Sequence, residues 1–160
     1  MSFAPDDLFA LEYLGLAYLD LGEIKQGLSC FLKMLKIEPG NAYTHNNVGY
    51  AYQKLGEYKK AIKHFNLAIR SEPEFAFPYD NRGFSRFKLG EVGEGVSDIN
   101  KSLKIDPSNA FAYKYRGIIY QHLGKNIEAR QDFLTALELD YTEKYDDEVE
   151  RLLENLNRLM

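Results

Sequence analysis

The side chains able to do covalent or metal chemistry are few. Cys30 is the single cysteine, and His45, His64 and His122 are the three histidines. A nucleophilic thiol needs a base beside it. On a helix that base comes three or four residues away, and no histidine stands at that spacing from Cys30. The histidines also lack the short spacings from which zinc sites are built. The run Glu91-Val92-Gly93-Glu94-Gly95 has the glycines of a phosphate loop. It lacks the preceding strand and the lysine, and its glutamates would repel phosphate, so it reads as the start of a helix. Paired carboxylates occur, but at helical spacing on solvated faces. The sequence therefore predicts no enzyme, no catalytic residue, no metal and no cofactor.

Composition narrows the remaining classes. The chain has 160 residues, enough for one domain spanning 1–160, and 45% of them are apolar, enough for a continuous core. The net charge of −4, with both signs mixed along the chain, provides no basic face for phosphates and argues against a nucleic-acid partner. No run of eighteen apolar residues is present, so no membrane insertion is expected. The start, Met1-Ser2-Phe3-Ala4-Pro5-Asp6-Asp7, has neither the basic nor the apolar region of a signal peptide. One cysteine cannot form an internal disulfide, which fits a reducing, cytoplasmic setting.

What organises the chain is a period. Residues 42–75 carry Val48-Gly49, Tyr52, Leu55-Gly56, Ala61, Phe65, Ala68 and Pro73. Shifted by 34 residues downstream, the same landmarks read Arg82-Gly83, Arg86, Leu89-Gly90, Gly95, Ile99, Ser102 and Pro107. Shifted upstream by the same step they read Leu14-Gly15, Tyr18, Leu21-Gly22, Gly27, Phe31, Met34 and Pro39. A fourth copy gives Arg116-Gly117, Tyr120, Leu123-Gly124, Ala129, Phe133 and Ala136. A fixed 34-residue period marks an array of helical repeats, here 8–41, 42–75, 76–109 and 110–143.

Each copy reads as two helices, A and B. In the first, Leu11, Leu14, Tyr18 and Leu21 recur at the helical period, as do Ile24, Leu28, Phe31, Leu32 and Leu35 in the second helix. Asp6 and Asp7 are candidate N-caps. The Leu-Gly pair supplies a residue able to close helix A in the left-handed conformation. Glu38-Pro39, Glu72-Pro73 and Asp106-Pro107 stop helix B, because proline disfavours helical geometry in the residue before it; Asp140-Tyr141 stands there in the last copy. Pro78 falls in the first turn of its helix, where a missing N–H costs little. Gly15, Gly49, Gly83 and Gly117 lie mid-helix opposite the small residues Gly27, Ala61, Gly95 and Ala129. That pairing predicts close helix crossings, with Phe31, Phe65, Ile99 and Phe133 beside them. The tail breaks the period. Val149, Leu152, Leu153, Leu156 and Leu159 predict one more helix, 145–159, with Asp146, Asp147 and Glu148 in its first turn.

With these residues in place, the chain resembles the tetratricopeptide repeat (TPR) proteins from Leu8 to about Glu143. The departures are local: Leu11 and His45 stand where a bulky aromatic is usual, as Tyr79 and Tyr113 are, and Arg86 replaces a tyrosine. The resemblance implies an all-α, right-handed α-solenoid of four hairpins plus a C-terminal capping helix. It also implies that the A helices line a concave inner face. Two pairs vary together inside the chain. Arg82 and Arg116 replace Leu14 and Val48, and sixteen residues later Asp98 and Asp132 replace Cys30 and His64. This predicts the ion pairs Arg82–Asp98 and Arg116–Asp132.

On the A-helix face the resemblance selects Phe9 and Tyr13 in the first repeat, and Tyr43, Asn47, Tyr50 and Lys54 in the second. It selects Phe77, Asn81, Phe84 and Lys88 in the third, and Phe111, Lys114 and Tyr115 in the fourth. Phe9, Tyr43, Phe77 and Phe111 form an aromatic row, the residue type that anchors partners. Asn47 and Asn81 can bond an extended backbone through their amides. Glu12 and Asp20 make the first repeat acidic, while Lys54, Lys88 and Lys114, relieved only by Asp80, make the rest basic. The family's clamp for C-terminal carboxylates needs lysine and asparagine where Glu12/Leu16 and Asn46/Tyr50 stand, so chaperone-tail binding is not expected. The expected function is a protein–protein interaction scaffold that binds a peptide segment or partner protein in the groove. The alternatives are a self-assembly module, giving a homo-oligomer, and a targeting fragment of a larger protein.

Overall fold

A computed structural model of the chain describes residues 7–139 and 143–158. Asp6, Asp140, Tyr141 and Leu159 lie outside the described residues. Among those described, nine helices and no strand are found. The chain divides after Pro78 into two compact units.

The first unit holds α1 (Leu8–Asp20), α2 (Ile24–Ile37), α3 (Ala42–Lys54) and α4 (Tyr58–Ser71). Each helix packs on the next. Asp7 caps α1 by accepting hydrogen bonds from the N–H groups of Phe9 and Ala10 at 3.0 and 3.3 Å. Asn41 caps α3 in the same way, accepting from Thr44 N–H at 2.9 Å. Helix α1 ends on Leu21, and Gly22 follows at φ 77°, a conformation that costs glycine nothing. The Glu23 N–H then reaches back to the Tyr18 carbonyl at 2.8 Å and closes the turn.

The mid-helix glycines have a steric cause. A Cβ on Gly15 would stand 2.6 Å from the Phe31 ring, and one on Gly49 would stand 2.5 Å from Phe65. A Cβ on Gly27 would meet the Gly15 carbonyl at 2.8 Å. Hairpin helices therefore cross backbone to backbone, and a fully buried phenylalanine fills the space beside each crossing. Phe31, Leu11, Met34, Cys30 and Val48 form one core cluster of this unit.

The second unit holds most of α5 (Phe77–Lys88), then α6 (Val92–Ile105), α7 (Ala110–His122), α8 (Asn126–Leu139) and α9 (Glu143–Asn157). Glu91 is the N-cap residue of α6, so the glycine-rich run opens a helix. Gly83 crosses Gly95 as Gly15 crosses Gly27, and Gly117 lies under Phe133. Helix α9 packs on α8. Its Val149 and Leu156 are fully buried against Ala129, Phe133 and Ala136, which completes a core that the fourth hairpin could not close alone.

Candidate functional site

The side chains selected on the A helices fall into two groups. The four rings of the aromatic row are solvent-facing: Phe9 is 75% exposed, Tyr43 56%, Phe77 39% and Phe111 38%. Tyr13, Lys54 and Lys88 are exposed as well, and Asn47, Tyr50 and Phe84 are half-buried. Asn81, Lys114 and Tyr115, by contrast, are buried.

The second unit accounts for part of that burial. Tyr115 lies stacked under Phe84, with ring centroids 4.4 Å apart and planes 17° from parallel. Lys114 donates through Nζ to Glu148 Oε2 on α9 at 3.0 Å, so the tail helix brings a carboxylate to a lysine that sequence reasoning left facing a partner. Asp80 is also displaced from the surface expected of it. It is fully buried, and its Oδ1 accepts from Ser102 Oγ and Asn109 Nδ2, each at 3.0 Å. Its Oδ2 has no hydrogen-bond partner among the described residues. Burial pushes the Asp80 carboxyl up to about 7, with a small addition from Asp106, against the opposing pull of the Ser102, Asn109 and backbone hydrogen bonds. The basic character expected of this region is thus reduced to Lys54 and Lys88 among the selected lysines.

The two arginines make forked ion pairs. Arg82 donates through Nε and Nη2 to the two oxygens of Asp98 at 2.8 and 2.6 Å, and Arg86 adds a third donor at 2.8 Å. Arg116 spans Asp132 with two bonds of 2.8 Å and also donates to Asn100. Two parallel bonds match guanidinium to carboxylate geometry. Each pair ties the A helix to the B helix of one hairpin.

In the first unit two histidines meet. His45 Nδ1 lies 3.0 Å from His64 Nδ1, while His45 Nε2 lies 2.9 Å from the Pro39 carbonyl oxygen. A carbonyl can only accept, so His45 carries its proton on Nε2 and takes the His64 N–H on Nδ1. Burial, then the neighbouring His45, push the His64 imidazole below its ordinary value. The nineteen-residue separation hid this contact from sequence reasoning. Two ring nitrogens are a small ligand set, and no group of three or more His, Cys, Asp or Glu residues is assembled among those described. Cys30 is buried in the core, and that burial raises its thiol above the ordinary value despite nearby Lys33; it is a packing residue rather than a nucleophile.

One surface feature was missed altogether. Tyr43 meets Phe75, a residue of the α4–α5 connection, at a 42° tilt with ring centroids 4.5 Å apart, and Phe75 meets Phe77 edge-on at 5.9 Å. Tyr43, Phe75, Pro73, Ser71, Glu72 and Glu74 line an open pocket of about 420 Å³. No helix of the described residues is long and apolar enough to cross a membrane.

Comparison with known proteins gives one consistent result. Three family models, each described as tetratricopeptide repeat, match residues 13–41, 42–75 and 99–131, together more than half of the chain. No curated protein sequence matches. Among solved structures, a thermophilic TPR protein of Thermus thermophilus superposes with a TM-score of 0.85 at 20% identity, over 94% of this chain and 81% of that one. MamA is similar at TM-score 0.67 and 26% identity, over 84% of this chain and 79% of its own. The first TPR domain of Spaghetti (RPAP3), solved with the HSP90 peptide SRMEEVD, matches at TM-score 0.67 and 26% identity, over 76% and 96% of the two chains.

Proposed function

The chain belongs to the tetratricopeptide repeat family, and from that premise we propose that it binds a peptide segment or partner protein on the face carried by the first helix of each hairpin. The observation that carries this reading is the aromatic row. Phe9, Tyr43, Phe77 and Phe111 each leave more than a third of their surface in water. Rings that serve only to pack neighbouring helices would be covered. Exposed aromatics repeated at one register supply large apolar contact area at low entropic cost. Lys54 over Tyr50 and Lys88 over Phe84 add cations at 5.2 and 5.8 Å from the ring centres. The Asn47 amide can bond a peptide backbone without reading its sequence. The similar RPAP3 domain, with an HSP90 peptide bound, supports peptide binding as a use of this architecture.

The test is calorimetric titration of peptides selected on the full chain. Phe77→Ala with Phe111→Ala should weaken them at least tenfold while the helical circular dichroism is kept. Unchanged affinity would overturn the reading. A second reading has its own observation. Phe9, Tyr13, Leu14, Leu16 and Leu21 leave α1 with a broad exposed apolar surface, which would suit a second copy of the chain. Light scattering over a concentration series separates the two. A concentration-independent monomer of 18.5 kDa favours an outside partner. A dimer abolished by Tyr13→Glu favours self-association.

A further inference from the structure

The three inter-repeat connections are internal controls for one another, and one of them departs. All three make the same backbone turn: Asn41 N–H to the Glu38 carbonyl at 3.3 Å, Phe75 to Glu72 at 3.2 Å, and Asn109 to Asp106 at 3.3 Å. In the first and third, the acidic residue accepts hydrogen bonds within the turn itself. Glu38 accepts from Asn41 Nδ2 at 3.0 Å, and Asp106 accepts from Ser108 N–H and Oγ at 2.9 and 2.6 Å. Asn41 and Asn109 then cap the following helices. In the second connection Phe75 stands where the capping asparagine would be, and Glu74 stands where Gly40 and Ser108 are. Losing such a cap costs about 1 kcal/mol, and the turn geometry gains nothing from the exchange.

What the exchange does produce is an anionic aromatic pocket. The Glu72 and Glu74 side chains are exposed, with no hydrogen bond or ion pair among the described residues. The carbonyl end of α4, negative by its helix dipole, opens on the same space at Ser71. Tyr43 and Phe75 add ring faces, which are negative at their centres. The one basic residue in the last turn of α4, Arg70, does not line the pocket. Elsewhere the chain covers its own rings with cations: Lys54 over Tyr50, Lys60 over Tyr52, Lys88 over Phe84, Lys125 over Tyr120. The Tyr43–Phe75–Phe77 cluster has no such partner among the described residues. Carboxylates, helix dipole and ring faces all favour a positive charge here.

We propose that this pocket receives an arginine side chain of the bound partner, its guanidinium plane against the Tyr43–Phe75 rings and its N–H groups toward Glu72 and Glu74. Arginine suits the site better than lysine, because a planar fork can stack and bond carboxylates together. The proposal rests on the peptide-binding reading and adds to it the charge of one contact.

The experiment is selection of random twelve-residue peptides displayed on phage against the full chain. The selected peptides are then synthesised with arginine or with citrulline, its neutral isostere. Arginine should be enriched at one position, and citrulline there should weaken binding about tenfold, the loss of a charge-assisted pair. Glu72→Gln with Glu74→Gln should give the same loss. Phe75→Asn restores the turn of the other two connections, so it should fold at least as well as the parent yet bind at least fivefold more weakly. Peptides selected without arginine, or indifferent to these changes, would overturn the proposal and leave the aromatic-row reading standing. No selected peptide at all would overturn both.

Discussion

Asp80 shows how much one buried carboxylate decides. Its ordinary value is 3.8, and the fold raises it to about 7. The folded chain therefore holds this proton more tightly than the unfolded chain does. Asp80 permits full stability below about pH 4. That contribution is lost as pH rises through 7, at about 1.4 kcal/mol for each pH unit between the two values. Asp80→Asn removes the charge and keeps an oxygen for Ser102 and Asn109. Its denaturant midpoint should match the parent's near pH 4 and exceed it by the equivalent of about 4 kcal/mol at pH 8. A gap that does not widen with pH would refute the assignment. Glycines offer a second residue-scale test. In Gly49→Ala the new methyl meets Phe65, a ring already fully buried. Overpacking of about 1–3 kcal/mol outweighs the helix-propensity gain of about 1, so urea melts should show a net loss. Gly93→Ala, with no atom within 4 Å of the new Cβ, should instead stabilise by up to about 1 kcal/mol.

At the scale of elements, the hairpins share a backbone but not their internal glue. In the first pair of repeats the equivalent positions hold Leu14 and Cys30, then Val48 and His64; the second pair joins its helices with arginine and aspartate. Asp132 is buried and Arg116 half-buried, which makes the pair costly to break and easy to replace. Asp132→Cys alone should lose about 3–5 kcal/mol, because the guanidinium loses its carboxylate and keeps only the neutral Asn100 amide and the Tyr113 and Tyr120 rings. Arg116→Leu with Asp132→Cys, the combination already present in the first repeat, should recover most of that loss in a double-mutant cycle. Recovery of nothing would mean that the pair does more than join two helices. The same comparison between copies exposes the α4–α5 connection: its hydrogen-bonded turn matches the other two, but its side chains differ and α5 begins one residue later than α3 and α7 do.

At the scale of the molecule, an array of stacked hairpins must end somewhere, and α9 performs that office for the second unit. Val149 and Leu156 are fully buried in its contact with α8. Each such side chain stabilises by about 1.5–3 kcal/mol, so a chain ending at residue 142 should lose about 3–6 kcal/mol. Its fourth hairpin should bind a hydrophobic dye, and Lys114 should become accessible to acylation. Unchanged thermal unfolding would mean that α9 is an appendage.

The fold was legible because repetition multiplies weak signals. One leucine-glycine pair or one proline proves little, but four copies in register specify helix ends and crossings. Covariation between Arg82, Arg116, Asp98 and Asp132 carried side-chain detail for a similar reason, since copies within one chain sample the same environment. The candidate site was legible only in part. Periodicity says which residues share a helix face; it does not say what packs over that face. Lys114 is covered by Glu148, thirty-four residues away on a helix outside the period, and Asp80 is buried by Ser102 and Asn109 from two later elements. His45 met His64 for a like reason. The Tyr43–Phe75 pocket was overlooked because Phe75 belongs to no helix and stands at a position where the period expects only a cap. Local spacing by itself determined the family, the helices and their crossings, since these depend on neighbours a few residues apart. Which polar groups are buried, which charges are neutralised and which rings remain open are decided by contacts between distant segments, and only the tertiary structure brings those together.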